Sequence, residues 1–233
     1  REGQKVQAAL LSSLSHDLRT PLASITGAAS SLRQLGDRMS AETRDDLLAS
    51  IEEEAGRLNR FVTNLFEITR IESGMLRAKC VPTDLGVTIK AAVGRAMRLH
   101  PRLNVDISVA EPTPHAEADP ALLEQVLFNL LDNAAKYAAD APVSIFARRE
   151  DNAVRITVTD QGKGIPEQDL DRIFEKFYRR GKSDGRPAGT GLGLAIARGL
   201  ILAMGGTIRA ESPAMRRRGT RFIVRLPQLE GRP

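Results

Sequence analysis

From about Val6 to Leu35 the apolar residues Leu10, Leu14, Leu18, Ile25, Leu32 and Leu35 fall mostly at steps of three and four, and Leu11 and Leu22 widen the stripe. That period belongs to one face of a helix, so the segment is expected to be a long amphipathic helix. Gly36 to Ala41 reads as a turn, with Ser40 as the N-cap of a second helix in which Leu47, Ile51, Ala55, Leu58, Val62 and Leu65 recur at the same steps up to a stop at Gly74. Two helices alone would leave wide apolar stripes in water. The spacing therefore predicts a helical hairpin that pairs with a second copy as a four-helix bundle, a homodimer.

Beyond Gly74 the pattern shortens. Val105 to Val109, Val143 to Arg149, Val154 to Thr159, Thr207 to Ala210 and Arg221 to Leu226 read as strands, separated by helical stretches at 83–99, 120–137, 167–174 and 190–204. Helices alternating with such strands imply an α+β sandwich with helices on one face of a sheet. Gly74 and Pro82 bracket a short hinge at 73–82, which divides the chain into a hairpin over 1–74 and a sandwich domain over 75–233.

Composition narrows the classes. Hydrophobic residues at 42% and charged residues at 27% exclude a disordered chain, and only 4% aromatics without Trp means cores built from Leu, Ile, Val and Ala. The net charge of +5 permits an anionic partner, but the basic residues form no stripe with interleaved aromatics, so no nucleic acid is expected. Cys80 is alone, which excludes an internal disulfide and a cysteine-built metal site, and it reads as an inert packed thiol in a cytosolic setting. No run approaches the roughly 18–20 apolar residues of a membrane span. With Arg1 rather than Met at its start, the sequence is expected to be a fragment whose membrane attachment, if any, lies in segments outside it.

Four clusters carry candidate chemistry. On the first helix, Ser15-His16-Asp17-Leu18-Arg19-Thr20-Pro21 sets His16 opposite the Leu10, Leu14 and Leu18 column, with Thr20 one turn further on the same side. Pro21 has no N–H, so the carbonyl of Asp17 loses its helical partner and the helix can bend beside the imidazole. The acidic neighbour can hold one ring nitrogen and raise the nucleophilicity of the other. A plain exposed histidine near a kink would look the same.

The second cluster starts at Asp119-Pro120, an N-cap and first-turn pair, and runs through Asn129-Leu130-Leu131-Asp132-Asn133-Ala134-Ala135-Lys136-Tyr137. Asn129, Asn133 and Lys136 converge at the edge of an apolar stripe. Amide oxygens suit Mg²⁺ shared with nucleotide phosphates, and a lysine adds charge for the same phosphates, although a solvated polar face is the plainer alternative. The third cluster, Asp160-Gln161-Gly162-Lys163-Gly164-Ile165-Pro166, follows a strand: Gly162 and Gly164 allow a tight turn, and Asp160 offers a carboxylate to a donor such as an adenine amino group. The fourth, Gly189-Thr190-Gly191-Leu192-Gly193-Leu194, opens a helix whose N–H groups attract phosphate, without the Gly-Lys-Ser/Thr of a Walker A loop. Between them Arg179, Arg180, Lys182 and Arg186 accompany Gly181 and Gly185 in a stretch suited to a lid over a triphosphate, or to an ordinary surface loop.

In this order the clusters resemble the H, N, G1, F and G2 boxes of the sensor histidine kinases of two-component signalling, the F box lying at Phe174 to Phe177. Ala9-Leu10-Leu11-Ser12-Ser13-Leu14 ahead of His16, with Asp17 where many members carry Glu, is most similar to the potassium-responsive subgroup. The resemblance implies a dimeric phosphoacceptor hairpin followed by an ATP-binding sandwich of the Bergerat type. It implies phosphorylation of His16 with Asp17 assisting, Thr20 in phosphatase chemistry, Mg²⁺ on Asn129 and Asn133, Lys136 at phosphate and Tyr137 against the nucleotide. It also implies Asp160 at the adenine amino group with Thr220 near the base. Gly162, Gly164, Lys176, Arg179 and Gly189 to Gly193 complete the nucleotide site, while His100 and His115 match nothing in the family and read as loop histidines. The expected activity is an ATP- and Mg²⁺-dependent histidine autokinase that passes phosphate to a response regulator's receiver domain and dephosphorylates that regulator. It would form the cytoplasmic part of an inner-membrane sensor. The rivals are a silent dimeric scaffold that binds nucleotide as a signal and a gyrase-like ATPase; the H box argues against the latter.

Overall fold

The computed structural model describes residues 2–138, 141–179, 190–214 and 218–228, with the backbone alone for residues 2–17 and 37. The chain forms two compact units, Arg1–Phe66 and Glu67–Pro233.

In the first unit, α1 (Glu2–Leu35) continues through Pro21, and a 3-10 turn at Gly36–Arg38 leads to α2 (Ala41–Glu72), whose end from Glu67 onward belongs to the second unit. Ser40 caps α2: its Oγ accepts from the Thr43 N–H at 3.1 Å and lies 2.8 Å from the Thr43 hydroxyl. Ala28 and Phe61 are buried, but Leu22, Leu48, Val62, Leu65 and Phe66 stay exposed. A single copy of the hairpin thus leaves much of its apolar stripe in water.

The second unit holds β1 (Val81–Asp84), α3 (Leu85–Leu99), β2 (Val105–Val109), β3 (His115–Ala118), α4 (Pro120–Tyr137), β4 (Val143–Glu150), β5 (Ala153–Thr159), α5 (Gly193–Ala203), β6 (Thr207–Glu211) and β7 (Arg221–Pro227). Five strands make a mixed sheet in the order β2-β4-β5-β7-β6, in which β2 and β4 run parallel and the other neighbours antiparallel. Alternation decides the faces: Val143, Ile145 and Ala147, Val154, Ile156 and Val158, and Phe222, Val224 and Leu226 join α3, α4 and α5 in one core, while Ser144, Phe146 and Arg148 face water. The expected α+β class, helices followed by a layered sheet domain, is what the chain adopts.

Several elements depart from the expected ones. β1 and β3 form a separate antiparallel ribbon that the periodicity did not reveal, and it takes residues 83 and 84 from the expected helix. Asp84 caps α3 instead, accepting from the Val87 N–H at 3.0 Å. The stretch 167–174 is two 3-10 turns, Glu167–Asp169 and Arg172–Phe174, because so short a segment gains too few hydrogen bonds to offset helix nucleation. α5 starts at Gly193 rather than 190.

Candidate active site

α4 is aimed by its first turn. Asp119 Oδ1 accepts from the N–H groups of Ala121 and Leu122 at 3.1 and 3.2 Å, Pro120 occupies the first turn, and Asp119 Oδ2 accepts from Lys79 N at 3.0 Å. Leu123, Val126, Leu127, Leu130 and Leu131 are wholly buried, so the helix cannot rotate without exposing them. This fixes Asn129, itself buried, at the start of α5, where its Nδ2 donates to Gly193 O at 3.1 Å. Asn133 is half-buried one turn on, and Tyr137 is exposed at the helix end.

β5 delivers Asp160, which is only 4% exposed. Its backbone N–H donates to Thr220 O at 2.9 Å, and its Oδ1 accepts from Gly162 N at 2.8 Å and Thr220 N at 3.2 Å. Among the described residues Oδ2 makes no hydrogen bond. Burial pushes the carboxyl above its ordinary range, and the two backbone N–H groups pull the other way. Around this carboxylate the chain approaches itself closely: a Cβ on Gly162 would lie 2.7 Å from Tyr137 O, and one on Gly219 (φ +78) 2.0 Å from Asp160 O. Ser212 ties the same loops, its Oγ accepting from Ile165 N at 2.8 Å and donating to Gly219 O at 2.9 Å, close beside Gly164. Ser212 escaped the sequence reading, whereas Gly219 stands in the Gly219-Thr220-Arg221-Phe222 run that carries the expected base contact at Thr220.

The F-box residues meet the start of α5. Phe177 N donates to Gly191 O at 3.0 Å, both residues have positive φ, and a Cβ on Gly191 would sit 2.8 Å from the Phe177 carbonyl carbon. Thr190 Oγ1 accepts from the N–H of the buried Leu192 at 3.3 Å. Phe174 packs edge-on to Phe222, ring centres 6.3 Å apart, which anchors the F box to the sheet core.

Other candidates are placed differently. Lys136 pairs with Asp132, whose other oxygen lies 2.8 Å from His100 Nε2, and Lys176 pairs with Glu72. Of the remaining histidines, His100 lies just past the end of α3 as its C-cap, in the connection to β2 as expected, whereas His115 is the first residue of β3, because the unexpected ribbon claims it. Cys80 is partly buried against the core, and burial raises its thiol pKa. Arg179 and Thr20 are exposed. The side chains of His16 and Asp17, and Gly189 with the lid stretch 180–189, lie outside the described residues. Among the described residues no group of three or more His, Cys, Asp and Glu could hold a metal, and no helix is long and apolar enough to cross a membrane.

Two family models match in this order along the chain: the His Kinase A (phospho-acceptor) domain over residues 6–74, and the histidine kinase-, DNA gyrase B- and HSP90-like ATPase over 118–230. The structure of a mycobacterial sensor histidine kinase, MprB, is 31% identical with a TM-score of 0.56, the match covering 64% of this chain and 97% of that one. This chain belongs to the sensor histidine kinase family. The kinase also resembles Sensor protein KdpD of Mycobacterium tuberculosis, 38% identical over 98% of this chain and 27% of the relative, in line with the subgroup that Asp17 and Ala9 to Leu14 single out. The signal transduction histidine-protein kinase/phosphatase MprB of Mycolicibacterium paratuberculosis is 35% identical over 97% of this chain and 44% of its own length. The kinase chain thus spans about a quarter to a half of these relatives. Across 98% of the chain the fold follows histidine kinase ThkA, solved in complex with response regulator protein TrrA, at a TM-score of 0.71, 24% identity and 64% coverage of that chain. ATP binding goes with the family, and the sheet domain is the part that carries it.

Proposed function

We propose that this chain is a histidine autokinase that moves the γ-phosphoryl group of ATP to His16 and then to an aspartate of a response regulator, and that it also dephosphorylates that regulator. The observation that carries the reading is the Asp160 carboxylate, buried and held through one oxygen by two backbone N–H groups. A buried carboxylate with its second oxygen unshared is built to accept from an amino group such as that of adenine. Residues 1–74 would then be the dimeric phosphoacceptor domain and 75–233 the catalytic domain, in keeping with the matched family models. The exposed Leu22, Val62, Leu65 and Phe66 suit pairing of the hairpin with a second copy.

The donor set near α5 fits Mg²⁺. Asn129 spends its Nδ2 on Gly193 O, which leaves Oδ1 for a hard cation, and Asn133 stands one turn away. The ion would supply charge neutralisation of the β- and γ-oxygens. In-line transfer asks the protein mainly for position: Asp160 and Thr220 orient the base, the segment 189–193 that opens α5 would offer backbone N–H groups other than that of Leu192 to phosphate, and Lys136 and Arg179 add positive charge, with Lys176 in the F box. Asp17 holds one ring nitrogen of His16 while the lone pair of the other attacks the γ-phosphorus, forming the N–P bond as the bond to the ADP oxygen breaks. Membrane attachment in the parent sensor would come from segments outside this sequence, which would place this part in the cytoplasm.

Incubation with γ-labelled ATP and Mg²⁺ tests the reading. Label that is lost in acid, kept in base and chased onto a receiver domain is expected; tight nucleotide binding without label would favour a silent scaffold. Thr20 separates the second activity from the first, since its exposed hydroxyl one turn from His16 can position a water against a phosphoaspartate. Thr20→Ala should autophosphorylate within about twofold of the parent while regulator dephosphorylation slows by about 10-fold or more, the range of a lost general-base or positioning contact. Equal loss of both activities in a timed chase would show that Thr20 only supports the helix.

A further inference from the structure

Asp132 has partners from two elements. One oxygen accepts from Lys136 Nζ, one turn along α4, and the other lies 2.8 Å from Nε2 of His100 at the end of α3. The three side chains are 22%, 32% and 25% exposed, respectively, so the cluster is largely withdrawn from water. The backbone of His100 is fixed independently of its ring, with its N–H on Ala96 O at 2.8 Å and its carbonyl accepting from Leu103 N at 2.9 Å. Around α4, at about 100° per residue, Lys136 lies about 40° from Asp132 and about 20° from Asn129, so a small swing takes its ammonium from the carboxylate toward the asparagines.

We infer that His100 is a positioning residue for nucleotide binding, holding Asp132 when Lys136 leaves it for a phosphate. The inference rests on the reading above, in which Lys136 serves the phosphates. Moving the ammonium to a ligand anion leaves a half-buried carboxylate without its countercharge, which opposes binding. His100 stays on Oδ1 through that exchange and keeps one hydrogen bond on the stranded charge. Its effect must therefore appear with ligands that carry phosphate and vanish with those that do not. Without the imidazole, Asp132 would also hold Lys136 more tightly, which acts in the same direction.

The test titrates the full chain with Mg-ADP and, separately, with adenosine. His100→Ala should weaken Mg-ADP binding about 5- to 10-fold and leave adenosine within about twofold, the scale of one partly exposed hydrogen bond. His100→Gln, whose amide N–H reaches for the same oxygen, should restore most of the loss, and in an Asp132→Asn background His100→Ala should cost less than about twofold. The inference is overturned if His100→Ala binds Mg-ADP like the parent, if it weakens adenosine equally, or if its effect persists in the Asp132→Asn background. Lys136→Ala tells two failures apart. Unchanged Mg-ADP binding in that variant would remove the phosphate role of Lys136 and the inference with it. Weakened binding there, beside an unaffected His100→Ala, would overturn the inference alone.

Discussion

Gly219→Ala is expected to destabilise the sheet domain by about 3 kcal/mol or more and to abolish nucleotide binding, since a new Cβ would combine backbone strain with overlap in a packed site. Residue 219 has φ +78, where an L side chain is strained, and its Cβ would stand 2.0 Å from Asp160 O. Relief would require β5 and the loop before β7 to part. That separation breaks the Gly219 N–H bond to Gly162 O at 2.9 Å and the Thr220 N–H bond to Asp160 Oδ1 at 3.2 Å together. Gly27→Ala is the control, because its Cβ would meet nothing within 4 Å on α1. Replacing a helix-interior glycine there should stabilise by about 0.5–1 kcal/mol. Denaturant unfolding compares the two; a Gly219→Ala protein within about 0.5 kcal/mol of the parent would contradict the account.

Asp160→Asn is expected to lower affinity for ATP and ADP by about 10- to 100-fold, as a buried amide that turns an N–H toward the base loses a charge-assisted acceptor. The amide oxygen can still accept from Gly162 N and Thr220 N, so the loop stays in place. Folding should move the other way. The folded carboxyl titrates above its ordinary range because of burial, so the stability it contributes is present at low pH and lost as pH rises through the raised value. At neutral pH the Asn variant should therefore melt at the parent's temperature or above it, and the difference should narrow in acid. Unchanged nucleotide affinity, or a variant that melts below the parent at pH 7, would refute this role.

What the sequence reveals depends on how local each constraint is. β2 and β4 to β7 announce themselves by alternating β-branched residues, and the Ser40 cap and the Gly74 stop show in the turn chemistry. β1 and β3 stay hidden because Val-Pro-Thr-Asp and His-Ala-Glu-Ala bury only Thr83, Ala116 and Ala118, side chains too small to make an apolar signal. In the candidate site, Asp160, Gly162 and the asparagines of α4 stand in short motifs whose spacing is itself informative. Ser212 is invisible because its work is a bond to Ile165, 47 residues away, and His100 because its partner lies across a helix pair, 32 residues off. Lys136 shows the same limit: its spacing aims it at the asparagines, while its neighbour Asp132 holds it by a pairing along the helix.

Transfer of the γ-phosphoryl group to His16 is tested most directly by the site of label after incubation with γ-labelled ATP, made on the parent chain and on His16→Gln side by side. The parent should carry one acid-labile phosphate that maps to His16, and His16→Gln should bind nucleotide as well as the parent yet acquire none. Label that persists in His16→Gln, or that maps elsewhere in the parent, would contradict it.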